Sequence, residues 1–580
     1  MSKQHTIWIG LGVLASGLLA LGCDDERTSE GTANTGSVVD DRPLAACERG
    51  VPTLDRVKLS SDDVSAFAVG PCGHVAFTQP GEQEYTTRMQ LTDLRGEPVD
   101  LGLGSQPSFD RTGALFAWRR SEDDGLAAVV KALDSDEEWA EPISGGRIGF
   151  GLDRAGASEP RSIAWICEQD RLRVLGRDGV WSEVDPGYTC QEIHAGAGGV
   201  GLVRGDGVGG MRYVNLSTGA SRQVEGLEYT WGYDNASDTE RRDGFLLSDD
   251  GTALLHQVIR YEACGDTFCE LPSPVTTAFD LVANRPVADV PAYIGDERLR
   301  AHPQALRDHH AMLFSASPNS SVLTAGRELA VLNDMSGLHL FKDAARVLVS
   351  IPVEVEDARY NREQLALVNL ESGAQEDWLE VQDLENLQVS EGEQAVAFCH
   401  FTRERVTYPD RPNVSHTQVW ALSLWTPEGG VREKIIKSDQ PMRPHWVGDD
   451  GRALVGGGVF TAPLPVSAPN TPERLHGLHL IDPTGEIVAT WEELGSIRQI
   501  EEIAPGVLLM LLWRDRTLVL ERLDLNTQER LEIVSGEEIE WGMDEARELL
   551  VYRVTPKRAE DATERLPAEL WAVSLERLAP

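Results

Sequence analysis

The chain has no G-x-S-x-G elbow, no H-E-x-x-H pair and no G-x-x-x-x-G-K-[ST] loop, so three familiar sources of hydrolytic or nucleotide chemistry leave no linear signature. Lysine is scarce, 7 of 53 basic residues, against 94 acidic ones. The net charge of -41 and the pI near 4.6 repel a nucleic-acid backbone or an anionic lipid surface, and no arginine run forms a basic patch. That excludes nucleic acid as a partner. No C-x2-C pair occurs and no His sits at ligand spacing from the cysteines, which removes the common zinc frameworks. No apolar stretch reaches the roughly 20 residues that a spanning helix needs.

What is present begins with an export signal. Lys3 lies in a short polar start, Ile7 to Gly22 is an apolar run, and the run stops at Cys23. Leu19-Ala20-Leu21-Gly22-Cys23 resembles the lipobox of bacterial lipoproteins, with Ala20 where that family usually has Leu. The resemblance implies cleavage before Cys23, a lipid on that cysteine, and an exported protein anchored to a bacterial envelope membrane through that lipid. Asp24 does not decide between inner and outer membrane. Residues 23-44 are acidic and polar with little to bury, and read as a disordered tether.

Export makes cysteine pairing the expectation. Order along the chain suggests Cys47 with Cys72, Cys167 with Cys190 and Cys264 with Cys269, leaving Cys399 after an apolar run as a buried, inert thiol.

The body is organised around Gln106 to Trp118, QPSFDRTGALFAW: an apolar run, a polar turn holding Thr112-Gly113, and a second apolar run, the pattern of a β-hairpin. Related hairpins recur, among them at Val69–Phe77, Phe245–Gln257, Val389–Phe398, His445–Gly457, Glu502–Trp513 and Trp541–Tyr552. Alternating strands ending in Asp, Asn or Ser lie between them, such as Met89–Gly96, Leu365–Gly373, Leu478–Gly485 and Leu570–Leu575. A unit of four short strands cannot cover both faces of its own sheet and has to stack on neighbours. Such a unit is a β-propeller blade. Ser248-Asp249-Asp250-Gly251 and Gly448-Asp449-Asp450-Gly451 resemble the S-P-D-G turn of TolB-like (WD40-like) propellers, and VWALSL and LWAVSL resemble the strand that follows it.

The expected fold is therefore all-β, a β-propeller of about ten to eleven four-stranded units. Two rings in tandem are expected, residues 45–290 and 313–580 joined by a Pro-rich connecting segment at 291–312, behind a signal peptide at 1–22. The alternative is one large ring with insertions, in which Leu54 to Leu59 crosses over to complete the last blade.

Few residues stand out chemically. His302, Asp308, His309 and His310 could hold a divalent metal, but adjacent histidines point apart, so no metal site and no cofactor are expected. Two G-x-G-x-x-G matches, Gly196 to Gly201 and Gly205 to Gly210, open no helix and read as blade turns. The expected function is an envelope lipoprotein whose propeller binds a protein, peptide or glycan. The alternatives are a hydrolase- or lyase-type enzyme with a site assembled around the ring axis, which no linear motif would reveal, and a purely structural envelope lipoprotein. Catalytic residues are not assigned.

Overall fold

The computed structural model describes residues 51–578 apart from internal stretches, the longest being 291–310, 407–416 and 461–473. The described residues all belong to one compact unit, Asn34–Pro580. They are strands and turns, with a single 3-10 turn at Leu575–Leu578, and no described helix is long and apolar enough to cross a membrane. The signal, Cys23, the tether and Cys47 lie outside the described residues, as do the turn 248–251 and most of the connecting segment. Ala311 and Met312, the end of that segment, open the strand Ala311–Ala316.

The strands form antiparallel sheets that follow one another along the chain. The first two share a strand. Phe67–Val69, Val75–Pro80 and Thr87–Thr92 lead into Val99–Phe109, whose start pairs with Thr87–Thr92 and whose end pairs with Leu115–Glu122; Gly125–Ala132 and Glu138–Ile143 complete the second sheet. The third runs from Arg147–Asp153 to Trp181–Val184 and the fourth from Glu192–Ala195 to Ser221–Gln223. The fifth, from Gly232–Asp234 to Arg285–Val290, has six strands, and the sixth, from Ala311–Ala316 to Ala330–Leu332, has three. The seventh and eighth, from Ser336–Leu340 to Gly430–Ser438, again share a strand, Gln375–Val389. The ninth spans Arg443–Val447 to Ile487–Trp491 and the tenth Ser496–Ala504 to Arg530–Gly536. The last joins Glu538–Met543, Leu549–Thr555 and Glu569–Ser574 to Val57–Ser60.

This is the all-β propeller architecture expected, with two differences. The units are not all four-stranded, and two pairs are fused by long strands. In Val99–Phe109 the backbone turns without ending the strand: Gly102 and Gln106 take left-handed conformations (φ +87° and +57°), and Pro107, which has no amide hydrogen, falls where the register slips. Asp383 (φ +47°) does the same in Gln375–Val389.

The organising hairpin forms as read, with Phe109 and Phe116 opposite one another and Gly113 left-handed at +70°. Its turn is held by Asp110, whose buried carboxylate accepts from the Leu115 amide at 2.7 Å, the Thr112 amide at 3.1 Å and the hydroxyls of Thr112 and Ser162. Ser162 belongs to the third sheet, so one carboxylate both closes a turn and ties two sheets together.

Closure uses the chain's own ends. Val57–Ser60 pairs with Glu569–Ser574, placing Val57 opposite Ala572. Val64, Val75 and Phe77 of the first sheet region pack against Leu549, Val551, Leu570 and Ala572 of the last. Leu570 is fully buried at that junction. Replacing it with Ala should cost about 2–5 kcal/mol, read from urea unfolding. A loss below 1 kcal/mol would mean that the junction contributes little to the fold.

Candidate functional site

The residues singled out from sequence do not assemble into one site. His302, Asp308, His309 and His310 lie outside the described residues, and no group of metal-ligating side chains occurs among the described ones. Cys167 and Cys190 are disulfide-bonded, with Cα atoms 5.4 Å apart. Cys72 is also disulfide-bonded, to a partner outside the described residues. Cys264 and Cys269 end and occupy paired strands, opposite Thr267 and Glu262. Cys399 is a buried free thiol whose pKa burial drives upward, the reverse of what a nucleophile needs.

One serine–histidine pair escaped the sequence reading. His400 Nε2 lies 3.0 Å from Ser423 Oγ, and its Nδ1 lies 2.9 Å from the Phe401 carbonyl. Both side chains are buried inside the eighth sheet, and the Lys434 amide also donates to Ser423 Oγ at 3.0 Å. The pair therefore satisfies polar groups within a sheet and meets no substrate. His479 does the same, between Thr490 Oγ1 and the Gly457 carbonyl, both at 3.1 Å.

The charged groups that do converge sit on the hairpin turns of the last four sheets. Arg547, in the turn of the last sheet, donates to the Glu502 carbonyl at 2.6 Å and to Glu391 Oε2 at 3.3 Å. Glu391 lies in the turn of the eighth sheet, 156 residues away and with two sheets between them in sequence. Glu502 accepts from the Trp446 indole at 2.7 Å and from the Gly506 amide at 2.7 Å. Asp449 accepts from the Gly392 amide at 3.0 Å, and Arg452 donates to Asn526 at 3.0 Å. Glu393 faces His339 of the seventh sheet at 2.9 Å. Turns so far apart in the chain meet because the eighth, ninth and last sheets present the same hairpin at the same end, as blades do around an axis.

The local reason is a shared turn. Each begins with an acceptor, Ser390, Gly448 or Asp544, whose carbonyl binds the amide three residues on, and that third residue is left-handed: Glu393 (+56°), Gly451 (+80°) and Arg547 (+54°). Glycine is the comfortable residue there. Where Glu393 and Arg547 replace it, their side chains leave the turn toward neighbouring sheets, and these two form bonds between sheets. Turns that keep the glycine also reach across, through Asp449, Arg452 and Asp110, but at Glu393 and Arg547 the left-handed residue itself makes the contact.

Burial tunes this cluster. It raises the Glu501 carboxyl, and Glu391 adds to the rise while Arg547 opposes it. Asp544 accepts the Glu548 and Leu549 amides at 2.8 and 2.7 Å, but its other oxygen is buried without a partner, and burial pushes its pKa up to about 6.

A second polar group stands on the opposite side of the chain's middle. Glu168, buried, accepts from the Ser144 amide at 2.8 Å, from Arg171 at 3.1 Å and from Arg173, which also reaches Glu141 and the Pro142 carbonyl of the second sheet. Burial works against the charged form, but the Ser144 amide and Arg173 together hold Glu168 below the ordinary carboxylate value. The group fastens the third sheet to the second beside the disulfide.

A raised carboxyl binds its proton more tightly folded than unfolded, so Asp544 subtracts nothing below pH 4 and destabilises the fold as pH rises through 6. Asp544→Asn should therefore gain on the natural protein between pH 4 and pH 7, by about 2 kcal/mol in urea unfolding. A difference that stays flat with pH would refute the assignment.

No protein-family model matches the chain, and no curated protein does. Among solved structures it is similar to the tricorn protease, at 10% identity and a TM-score of 0.20 over 90% of this chain and 61% of that one, so it spans under two thirds of that protein. It is also similar to the β-propeller domain of the trilobed protease from Pyrococcus furiosus, at 10% identity, 81% and 95% coverage and a TM-score of 0.24. Porphyromonas gingivalis dipeptidyl peptidase 4 matches at 9% identity, 87% and 67% coverage and a TM-score of 0.34. Values this low carry no inference about substrate or reaction.

Proposed function

We propose that the chain is an exported bacterial lipoprotein, held to an envelope membrane by a lipid on Cys23, whose propeller of TolB-like blades is a platform for another envelope molecule. The observation that carries the platform is the Arg547 bridge, which joins the turns of the eighth and last sheets and fixes one end of the fold as a rigid polar face. Around it Glu391 and Asp450 remain exposed, 41% and 51%. On a chain of net charge -41 such a face favours a partner with a cationic patch, protein or peptide before glycan. The Cys167–Cys190 bond is the state that an oxidising compartment maintains, in keeping with export.

The anchor and the platform are tested separately. Cys23→Ser, expressed in a lipoprotein-processing bacterium, should move the protein out of the detergent phase; retained partitioning removes the anchor. The doubly charge-reversed variant Glu391→Lys with Asp450→Lys should lose at least half of its cross-linked partners in intact envelopes. An unchanged pattern removes the turn face as the platform.

A second reading rests on Glu501. Burial and the charge of Glu391 raise the Glu501 carboxyl while Arg547 opposes them, and a raised carboxyl at this face is what the general acid of a propeller hydrolase or lyase would need. If turnover is found on any polysaccharide or peptide, Glu501→Gln should abolish it while leaving the urea midpoint at pH 7 no lower than that of the natural protein.

A further inference from the structure

The hairpin turns can be followed from sheet to sheet as one end of the fold. A β-carbon on Gly113, in the turn of the second sheet, would come 2.5 Å from the sulfur of Cys72 in the turn of the first. Gly542, just before the turn of the last sheet, lies against Phe67 and Val69, just before that of the first. Arg547 continues the row to the tenth sheet, Arg452 and Asn526 join the ninth to the tenth, and Asp449 with the Gly392 amide joins the eighth to the ninth.

The chain enters the fold at this end. Val51 packs on the turn of the first sheet, where its Cγ2 leaves only 2.8 Å for a β-carbon on Gly73. The Ser574 hydroxyl accepts from the Leu54 amide at 2.7 Å and donates to the Pro52 carbonyl at 3.2 Å. Ser574 ends its strand, and the next amide, Leu575, donates at 2.8 Å to the Glu548 carbonyl in the turn that carries Arg547. From there the antiparallel register carries Val57–Ser60 away from the turns, with Val57 opposite Ala572 and Ser60 opposite Leu570. Whatever precedes Val51 therefore leaves the body from the turn end. Cys72 lies in the same turn and is disulfide-bonded, and the pairing that order along the chain suggests, with Cys47, fastens the incoming chain there a second time.

Residues 24–50, polar and acidic, separate Cys23 from Val51. A polar chain of that length has a root-mean-square reach of roughly 30 Å. One strand of the body, Thr517–Asp524, already spans about 25 Å. Turning the opposite end to the membrane would make the same connection run the height of the body as well, which stretches it beyond its relaxed length. The exposed carboxylates Glu391 and Asp450 at the turn end are repelled by anionic headgroups over about 8 Å, so this end faces such a surface without lying on it.

We propose that the lipid on Cys23 holds the protein with its turn face toward the membrane, and that the platform takes a partner carried in that same membrane with a cationic segment at its surface. The inference deepens the platform reading and rests on the lipid anchor.

The test uses the full chain, made in a lipoprotein-processing bacterium and reconstituted into vesicles of phosphatidylethanolamine and phosphatidylglycerol that carry an acceptor dye on their headgroups. A donor dye is placed on Thr527→Cys or on Arg516→Cys. Both positions are exposed in the tenth sheet, the first in the turn whose Leu525 amide donates to Gly506 at the turn end, the second in the turn at the other end. The free thiol Cys399 is buried and takes no dye. The two positions differ in height by about 25 Å, so energy transfer from Thr527→Cys should be about twofold greater or more. Equal or greater transfer from Arg516→Cys, in protein that binds the vesicles, overturns the orientation alone. Failure of the natural chain to bind the vesicles removes the anchor and the orientation with it, so the two failures are told apart. Partners cross-linked at the turn face in intact envelopes should stay with the membrane through an alkaline wash, and partners released by the wash overturn the membrane-held partner.

Discussion

The eighth and last sheets of this protein are apolar on both faces, and neither can be stable without a neighbour on either side. The fully buried strand Leu549–Thr555 makes the point: Leu550, Tyr552 and Val554 face the tenth sheet while Leu549 and Val551 face the first. The same division runs through Val396–Val406, with Val396 and Phe398 toward the seventh sheet and Ala397 and Cys399 toward the ninth. Such strands lose the period-two alternation of a half-exposed sheet and read as unbroken apolar runs. The requirement is also what makes closure necessary. A row of sheets ends in two bare faces, and joining Val57–Ser60 to Glu569–Ser574 while packing Val75 and Phe77 on Leu570 removes both.

That constraint explains why the fold was legible and the site was not. The hairpin at Gln106 to Trp118 is specified within thirteen residues by its apolar runs, its Asp110 acceptor and Gly113, so it is visible in the chain and forms as read. The crossover strand was visible too, because the last hairpin lacks a fourth strand of its own. The long strands were missed because Gly102 and Asp383 bend the backbone where the pattern of apolar residues suggests a break. The pairing of Arg547 with Glu391 has no local signal at all. It depends on where two turns lie in space, and nothing 156 residues apart in a chain announces that.

One signal could have been read. Within a repeat whose turn ends in glycine, the positions at which glycine is replaced are the informative ones, since a residue with a β-carbon gives up some stability to stand there. Gly113 and Gly451 keep to the repeat, and Glu393 and Arg547 do not. Those two exceptions make the bonds that link the seventh sheet to the eighth and the last sheet to the tenth and eighth. Comparing copies of a repeat with one another thus finds some of the residues that join blades, Glu393 and Arg547, but not Asp110 or Asp449, which join sheets from turns that keep the glycine.

Charge divides in the same way. The overall excess of acid sets the far field, and at physiological ionic strength that field fades within about 8 Å of the surface. What a ligand meets at contact is local, and local balance differs across this molecule. At the turn face Arg547 pairs with Glu391 and Arg452 with Asp450, while Asp449 and Glu502 stand beside them, so carboxylates outnumber guanidiniums. At the junction of the second and third sheets Arg171 and Arg173 are matched by Glu168 and Glu141, so charge there is balanced. What each face offers a ligand is therefore set by its own balance of charge and not by the net excess of acid.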